Sequence, residues 1–287
     1  MSTSLSIDGS SVRITGSSGR KIDKWNSVSF DPDFLREGTI FNTTEMAKII
    51  KQALAEAKLS TKHIRCSLPS INSVSRILTL PQIRRSDLEV TIQREARRVM
   101  SVSPETNFLQ WQLLPNGGTE QQVFVLAIPQ EPLQRLMQTC QIVGVTIDTI
   151  DLIPLALARA VNQKNAIIAH GEVNAIEMVI IVNSLPGLMR GTWLRENSLD
   201  TDKATALLLQ QIASTIEYYN DMNRTNPLPT NVPIYLTGEV ALNPELAQRV
   251  STISGRAVAN LEPPVTYPAE FPVAQYMTNI GLILKSS

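Results

Sequence analysis

Three short stretches that interrupt apolar strand runs hold most of the side chains able to do chemistry: Asp8-Gly9-Ser10-Ser11, Ala169-His170-Gly171-Glu172 and Gly238-Glu239-Val240. Ser10 and Ser11 offer hydroxyls. Neither has the G-x-S-x-G setting or a neighbouring base that would make a nucleophile, so a turn role is expected. His63 and His170 are the only histidines. No Cys or second His stands near either, so neither a metal site nor a catalytic imidazole is expected. Cys66 and Cys140 are far apart, form no C-x-x-C, and read as small buried hydrophobes. No catalytic residue and no metal ligand is assigned.

The elements that must position these stretches follow from hydrophobic pattern. Leu5–Ile7 and Val12–Ile14 flank the first stretch as a hairpin, and Lys24–Phe30 adds a strand. Thr44–Leu59 is an amphipathic helix with Met46, Ile49, Ile50, Ala53, Leu54 and Ala57 as its stripe and Thr43 or Thr44 as its cap. A strand–strand–helix–strand–strand–helix–strand module spans 63–148. In it Ser86 caps the helix Ser86–Met100 with Glu89 as capping-box partner, and Asn116-Gly117-Gly118 turns the hairpin Phe108–Leu114/Gln122–Ile128. After the helix Ile153–Val161, the strands Ala166–Ala169 and Ala175–Val182 bend at the second stretch. Met189–Leu194, a long helix from Asp202 to Met222, the strand Ile234–Thr237, a helix Asn243–Ile253 and a closing helix Tyr276–Leu284 complete the chain. Asp200 and Asp202 read as caps of the long helix. Trp25, Trp111 and Trp193 lie in strands, and Met46, Met137, Met178 and Met277 fall on core positions.

Composition excludes several classes. With 43% hydrophobic and 18% charged residues the chain can bury a core. Lys and Arg number 26, as do Asp and Glu, so there is no basic surplus for nucleic acid. No apolar run approaches the ~18 residues of a membrane span, and no signal sequence is evident at Met1–Asp8. A cytoplasmic setting is expected.

As an ordered set, these segments resemble the PilM family of type IV pilus assembly proteins, relatives of the cell-division protein FtsA within the actin-like ATPases. The resemblance rests on the two glycine-bearing hairpins, the module running from Leu80-Pro81 through Asp87-Leu88 and Glu95-Ala96 to Pro104, the connecting run Ile150–Ala160, the strand Ile234-Tyr235-Leu236-Thr237-Gly238, and Asn279-Ile280-Gly281-Leu282. It implies an α/β, two-lobed actin-like (ribonuclease-H-like) fold with an inserted α+β subdomain. The implied boundaries are 1–62 for the first part of lobe I, 63–148 for the insert, 149–164 for the connecting helix, 165–260 for lobe II and 261–287 for the closing segment. Leu194 passes to Asp202 with almost nothing between, so the upper subdomain of lobe II is expected to be reduced.

The resemblance also implies a nucleotide site, against which this sequence departs three times. The first turn should read Asp-x-Gly-Ser-Ser but is one residue short at Asp8-Gly9-Ser10-Ser11. The second should read Asp-x-Gly but has Ala169-His170-Gly171. Ala169 has no oxygen for Mg²⁺ or water, and His170 could not take its place without facing the other way; a magnesium site in any case rarely uses imidazole. The third should be Gly-Gly but is Gly238-Glu239, with a negative side chain toward the nucleotide. Asp8, Gly9, Ser10, Ser11, Gly171 and Gly238 are therefore read as positions of a degenerate site, with no ATP or Mg²⁺ cofactor and no catalysis expected.

What the resemblance leaves is a binding role. It implies docking of the short cytoplasmic tail of a PilN-like inner-membrane protein beside the inserted module, with Leu80, Pro81, Ile83, Arg94 and Arg98 as candidate contacts. The arginines of that helix otherwise read as a solvated face balanced by Asp87, Glu89 and Glu95. Localisation is then cytoplasmic, peripheral at the inner membrane through the partner, and self-association is left open. Two alternatives stand beside this reading: an active ATPase of the same fold, and the cytoplasmic domain of a GspL-type protein of type II secretion.

Overall fold

A computed structural model describes residues 2–115, 120–194 and 201–285. In chain order the elements are β1 (Ser2–Asp8), β2 (Ser11–Ser18), β3 (Lys21–Ser29), β4 (Leu35–Arg36), β5 (Thr39–Ile40), α1 (Thr43–Glu56), β6 (Ile64–Leu68), β7 (Val74–Pro81), α2 (Arg85–Met100), β8 (Asn107–Leu113), β9 (Glu120–Pro129), α3 (Gln130–Val143), β10 (Ile147–Leu152), α4 (Ile153–Val161), β11 (Ala166–Gly171), β12 (Ala175–Val182), β13 (Leu185–Trp193), α5 (Thr201–Met222), β14 (Ile234–Thr237), α6 (Leu246–Ser254) and α7 (Met277–Ile283). They divide into two compact units, residues 1–71 with 135–287, and residues 72–134.

The larger unit carries two sheets built on one plan. The first has the order β10-β6-β1-β2-β3 and the second β13-β12-β11-β14. Each begins with an antiparallel three-stranded meander, and each extends its first strand with a parallel neighbour, β6 beside β1 and β14 beside β11. The strands of the second sheet are apolar on both faces, as strands covered on both sides must be. Ile167, Ala169, Ile176, Met178 and Ile180 pack with Leu208, Ile212 and Tyr219 of α5, while Ile168, Val179 and Ile181 pack with α4 and α7.

Helices α4 and α7 sit against one another at backbone contact. A Cβ at Gly281 would overlap the backbone carbonyl of Ala156, so no other residue fits there. Two residues earlier, Asn279 is fully buried. Its amide donates to Ser4 Oγ (3.2 Å) and the Arg13 carbonyl (3.0 Å) and accepts from Ser6 Oγ (2.9 Å), tying α7 to the polar face of β1 and β2.

The smaller unit is a three-stranded sheet, β7-β9-β8, with α2 on one face. Leu78, Leu80, Val123, Val125 and Ala127 meet Leu88, Ile92 and Ala96 in its own core. The inserted module is thus narrower than 63–148. Strands β6 and β10 belong to the first sheet of the larger unit, because they pair in parallel with β1 and with each other.

Local details also differ from the sequence expectations. Asn42, not Thr43 or Thr44, caps α1, its Oδ1 accepting from Glu45 N at 3.1 Å. Ser86 lies inside α2, which starts at Arg85 with Arg84 in the cap position and no side-chain cap. Its hydroxyl bonds Asp87, and Glu89 accepts from Trp111 and Gln93 instead. The hairpin β4–β5, with Glu37 and Gly38 both at positive φ, was not anticipated. Met137 is exposed, because the buried face of α3 runs through Leu136, Thr139 and Cys140. The predicted turn Asn116-Gly117-Gly118 and the cap Asp200 lie outside what is described; β13 ends at Trp193 and α5 starts at Thr201, so Asp202 falls within the helix. Gly281→Ala should lower unfolding free energy by about 3 kcal/mol, the upper range for overpacking, since rigid backbone must move. Urea denaturation of both proteins measures it, and a loss under ~0.5 kcal/mol contradicts the close approach.

Candidate functional site

The three polar stretches converge at one end of the two sheets. Asp8 pairs with Ser11 across a two-residue turn in which Gly9 takes φ 59, a conformation that favours glycine. Ser11 is buried and Ser10 half-buried, and the Ser10 carbonyl accepts from Phe30 N. At the end of β11, Glu172 N donates to the Ala175 carbonyl and closes the second turn. Parallel pairing of β11 with β14 sets His170 beside Thr237, and Gly238 (φ 84) then turns the chain into a short 3-10 segment, Glu239–Leu242.

The turns are bonded to one another. Arg13, on β2 and 1% exposed, forks onto Glu172, with Nη1 to Oε1 at 2.8 Å and Nη2 to Oε2 at 3.0 Å. The same Nη2 reaches Glu239 Oε1 at 2.9 Å. His170 Nε2 is 2.7 Å from Asp8 Oδ2 and 3.6 Å from Glu172 Oε1, and its Nδ1 is 2.9 Å from Thr237 Oγ1. Asn174 Nδ2 donates to the Gly9 carbonyl at 3.0 Å. Packing is tight as well as polar: a Cβ on Gly9 would come within 2.7 Å of Glu172 Oε2, one on Gly171 would overlap Val240, and one on Gly238 would overlap the Gly171 carbonyl.

The electrostatics follow from burial and pairing. Burial would push the Asp8 carboxyl up, but the charge and hydrogen bond of His170, with Arg13, outweigh it and hold Asp8 below the usual carboxylate range. Burial opposes the imidazolium too, yet Asp8 and Glu172 raise His170 above its ordinary value. Glu172 is pushed up to about 7, by burial first and by Asp8 second, against Arg13 and His170. Arg13 is raised, because Glu172, Asp8 and Glu239 together overcome its desolvation. Nearby, Glu177 of β12 receives Ser70 N at 2.7 Å and the Ser70 hydroxyl, and burial pushes it to about 7.

Every degenerate-site position, Asp8, Gly9, Ser10, Ser11, Gly171 and Gly238, therefore lies in one cluster. His170 and Ala169 point to opposite faces of β11, as expected, and it is the His170 side chain that meets Asp8, while Ala169 lies in the apolar core with Leu208 and Ile212. Arg13, Glu172, Thr237 and Asn174 escaped sequence reasoning. The available signal was Arg13 on the polar face of β2, in step with Ser11, Thr15 and Ser17, between the apolar Val12 and Ile14.

In the smaller unit the partner candidates are not grouped as expected. Leu80 is buried under α2 and Ile83 packs against the same core, which leaves Pro81 and the arginines exposed. Arg98 bonds Glu95 twice, at 2.9 and 2.7 Å, and Arg94 lies 3.7 Å from the same carboxylate.

The model of the type IV pilus assembly protein PilM family matches residues 6–189. The chain belongs to the PilM family. No curated protein matches it. Among solved structures, the PilM chain of a PilM–PilN type IV pilus biogenesis complex is 18% identical with a TM-score of 0.80, covering 99% of this chain and 97% of that one. The ethanolamine utilization protein EutJ of Carboxydothermus hydrogenoformans gives 0.58 at 9% identity, over 99% and 89% of the two chains. The cytoplasmic domain of EpsL, an inner-membrane component of the type II secretion system of Vibrio cholerae, gives 0.55 at 9% identity, over 99% and 98%. At such identities the likeness is one of fold, and that fold is the actin-like ATPase fold.

Two outcomes test the cluster. Arg13→Met should cost about 3–5 kcal/mol in chemical denaturation, because it strands buried carboxylates without their cation. Adding Glu172→Gln and Glu239→Gln should restore much of that loss, and a single variant as stable as the parent contradicts the pairing. For Glu177 the folded carboxyl is raised, so the neutral form is favoured. Its contribution is full below the unfolded value near 4.5 and is lost as pH rises toward about 7. Glu177→Gln should flatten the stability–pH curve in that window by up to about 3 kcal/mol; an unchanged slope refutes the assignment.

Proposed function

We propose that this chain is a non-catalytic cytoplasmic scaffold of a type IV pilus machine that docks the cytoplasmic tail of a PilN-like inner-membrane partner. The observation that carries the non-catalytic part is the Arg13–Glu172–Glu239 network joining the three turns that hold nucleotide in active relatives. Phosphates need backbone N–H nests and cations. Here the Gly9 turn abuts the Glu172 carboxylate, and the available cation, Arg13, is already engaged by two carboxylates. The residues present do not fit a magnesium triphosphate, which would add several negative charges beside Asp8, Glu172 and Glu239.

The docking part rests on family membership and on the likeness to a PilM chain solved with PilN. Among the described residues no helix is long and apolar enough to cross a membrane; the proposed link to the inner membrane is the partner's tail. Pro81, Arg94 and Arg98 are the accessible candidates for tail contact on the smaller unit. The EpsL likeness supports a type II secretion scaffold as a second reading, with a lower TM-score.

Titration calorimetry with Mg-ATP and a phosphate-release assay test the first part. No saturable binding into the millimolar range and no turnover are expected; micromolar binding with turnover overturns it. For the second part, synthetic tails of PilN-like and EpsL-partner type should separate, with the PilN-like tail bound and Arg94→Glu/Arg98→Glu weakening it by about tenfold or more. Binding of neither tail ends the docking reading.

A further inference from the structure

The Asp8–His170–Glu172 cluster has a geometry that the ion-pair description does not use up. One ligand-capable atom from each residue, His170 Nε2 and one carboxylate oxygen from Asp8 and from Glu172, lies within 4.8 Å of the other two, and all three residues are buried. The separations from His170 Nε2 are 2.7 Å to Asp8 Oδ2 and 3.6 Å to Glu172 Oε1. Bonds of about 2.0–2.2 Å to a tetrahedral zinc require neighbouring ligand atoms about 3.3 Å apart. The two separations from His170 Nε2 lie within about an ångström of that spacing.

The surroundings have the form of an outer ligand shell. Thr237 Oγ1 engages His170 Nδ1 and orients the ring with Nε2 toward the two carboxylates. Arg13 grips Glu172 through both oxygens and fixes that carboxylate. Each carboxylate oxygen has two lone pairs, so Oε1 retains one for a metal. Asn174, two residues past Glu172 and bonded to the carbonyl of Gly9, keeps a buried Oδ1 that no described group satisfies. Charge is compatible with a divalent cation once the ring binds: zinc displaces the imidazolium proton, and with His170 neutral the ionised Asp8, Glu172 and Glu239 face one positive charge on Arg13, 3 − 1 = 2.

We propose that Asp8, His170 and Glu172 form a buried zinc site that pins the end of β1 to the end of β11. One imidazole nitrogen with two carboxylate oxygens suits zinc over magnesium or calcium, which take six or more oxygens. Asp8 comes from the first sheet and His170 and Glu172 from the second, so the ion ties the two sheets where the three turns meet. The proposal is independent of the scaffold reading: failure to bind zinc leaves that reading intact, and Mg-ATP binding leaves this one intact.

The test uses the full chain stripped with EDTA and titrated with zinc chloride by calorimetry, and separately with cobalt(II) as an optical probe. One equivalent of zinc bound at micromolar affinity or tighter is expected, with a rise in Tm. The cobalt spectrum should be that of nitrogen and oxygen ligands without a thiolate charge-transfer band. His170→Gln should weaken binding by at least about 100-fold, and Thr237→Val, which leaves all three ligands in place, by about tenfold. Should His170→Gln fail to fold, Thr237→Val and the cobalt spectrum decide. His63→Ala, at the exposed His63–Asp148 pair, should leave binding unchanged. Absence of saturable zinc, a thiolate band from Cys66 and Cys140, loss of binding in His63→Ala, or full affinity in Thr237→Val overturns the proposal.

Discussion

A guanidinium with almost no exposure must be met by carboxylates at hydrogen-bond distance, and that requirement organises the larger unit. Isolated burial of Arg13 would cost several kcal/mol after relaxation, and the interior makes this up only through good geometry and full hydrogen bonding. Arg13 obtains both from Glu172, in a fork, and from Glu239. Those partners lie on the second and third turns, and so the strands behind them are held in place. The parallel register of β11 and β14 then puts Thr237 beside His170, and His170 reaches back to Asp8 next to the first turn. The loops that hold phosphate in active members of this fold are thereby connected to each other.

The same economy appears one layer below. The polar face of β1 and β2 carries Ser4, Ser6, Ser11, Arg13 and Thr15, all buried. Ser4 and Thr15 bond each other at 2.6 Å, and Asn279 of α7 satisfies Ser4, Ser6 and the Arg13 carbonyl. A face that would be costly if left dry and unpaired thus has Ser4, Ser6, Thr15 and the Arg13 carbonyl satisfied, while the Ser17 hydroxyl at its far end finds no partner among the described residues. The closing helix is docked by these bonds on one side and by the Gly281–Ala156 approach on the other.

Much of this was legible from the residue order. Strand and helix periodicity located nearly every element, and the three departures at Asp8-Gly9, Ala169-His170 and Gly238-Glu239 marked the region where the turns converge. What was not legible depends on pairing across long separations. Nothing local to Arg13 names Glu172 or Glu239 as its partners, 159 and 226 residues away. The direction of His170 depends on which face of β11 meets the apolar core, and Ala169 took that face. The limits of the insert were misjudged for a related reason. β6 and β10 have the length and composition of module strands, and only the parallel pairing of β6 with β1 and of β10 with β6 assigns them to the first sheet. Caps were misread where two adjacent residues could each serve, as at Asn42 and Thr43.

The position of Ala169 also bears on how this lineage can change. Its side chain sits in the apolar cluster with Leu208, Ile212 and Leu236. Restoring an aspartate there would bury a carboxylate among hydrocarbons, a large cost with no partner in reach. On the non-catalytic reading proposed above, an aspartate at 169 and changes at the Arg13–Glu172–Glu239 network would each be harmful alone, so the connected cluster would act as a ratchet in sequence space.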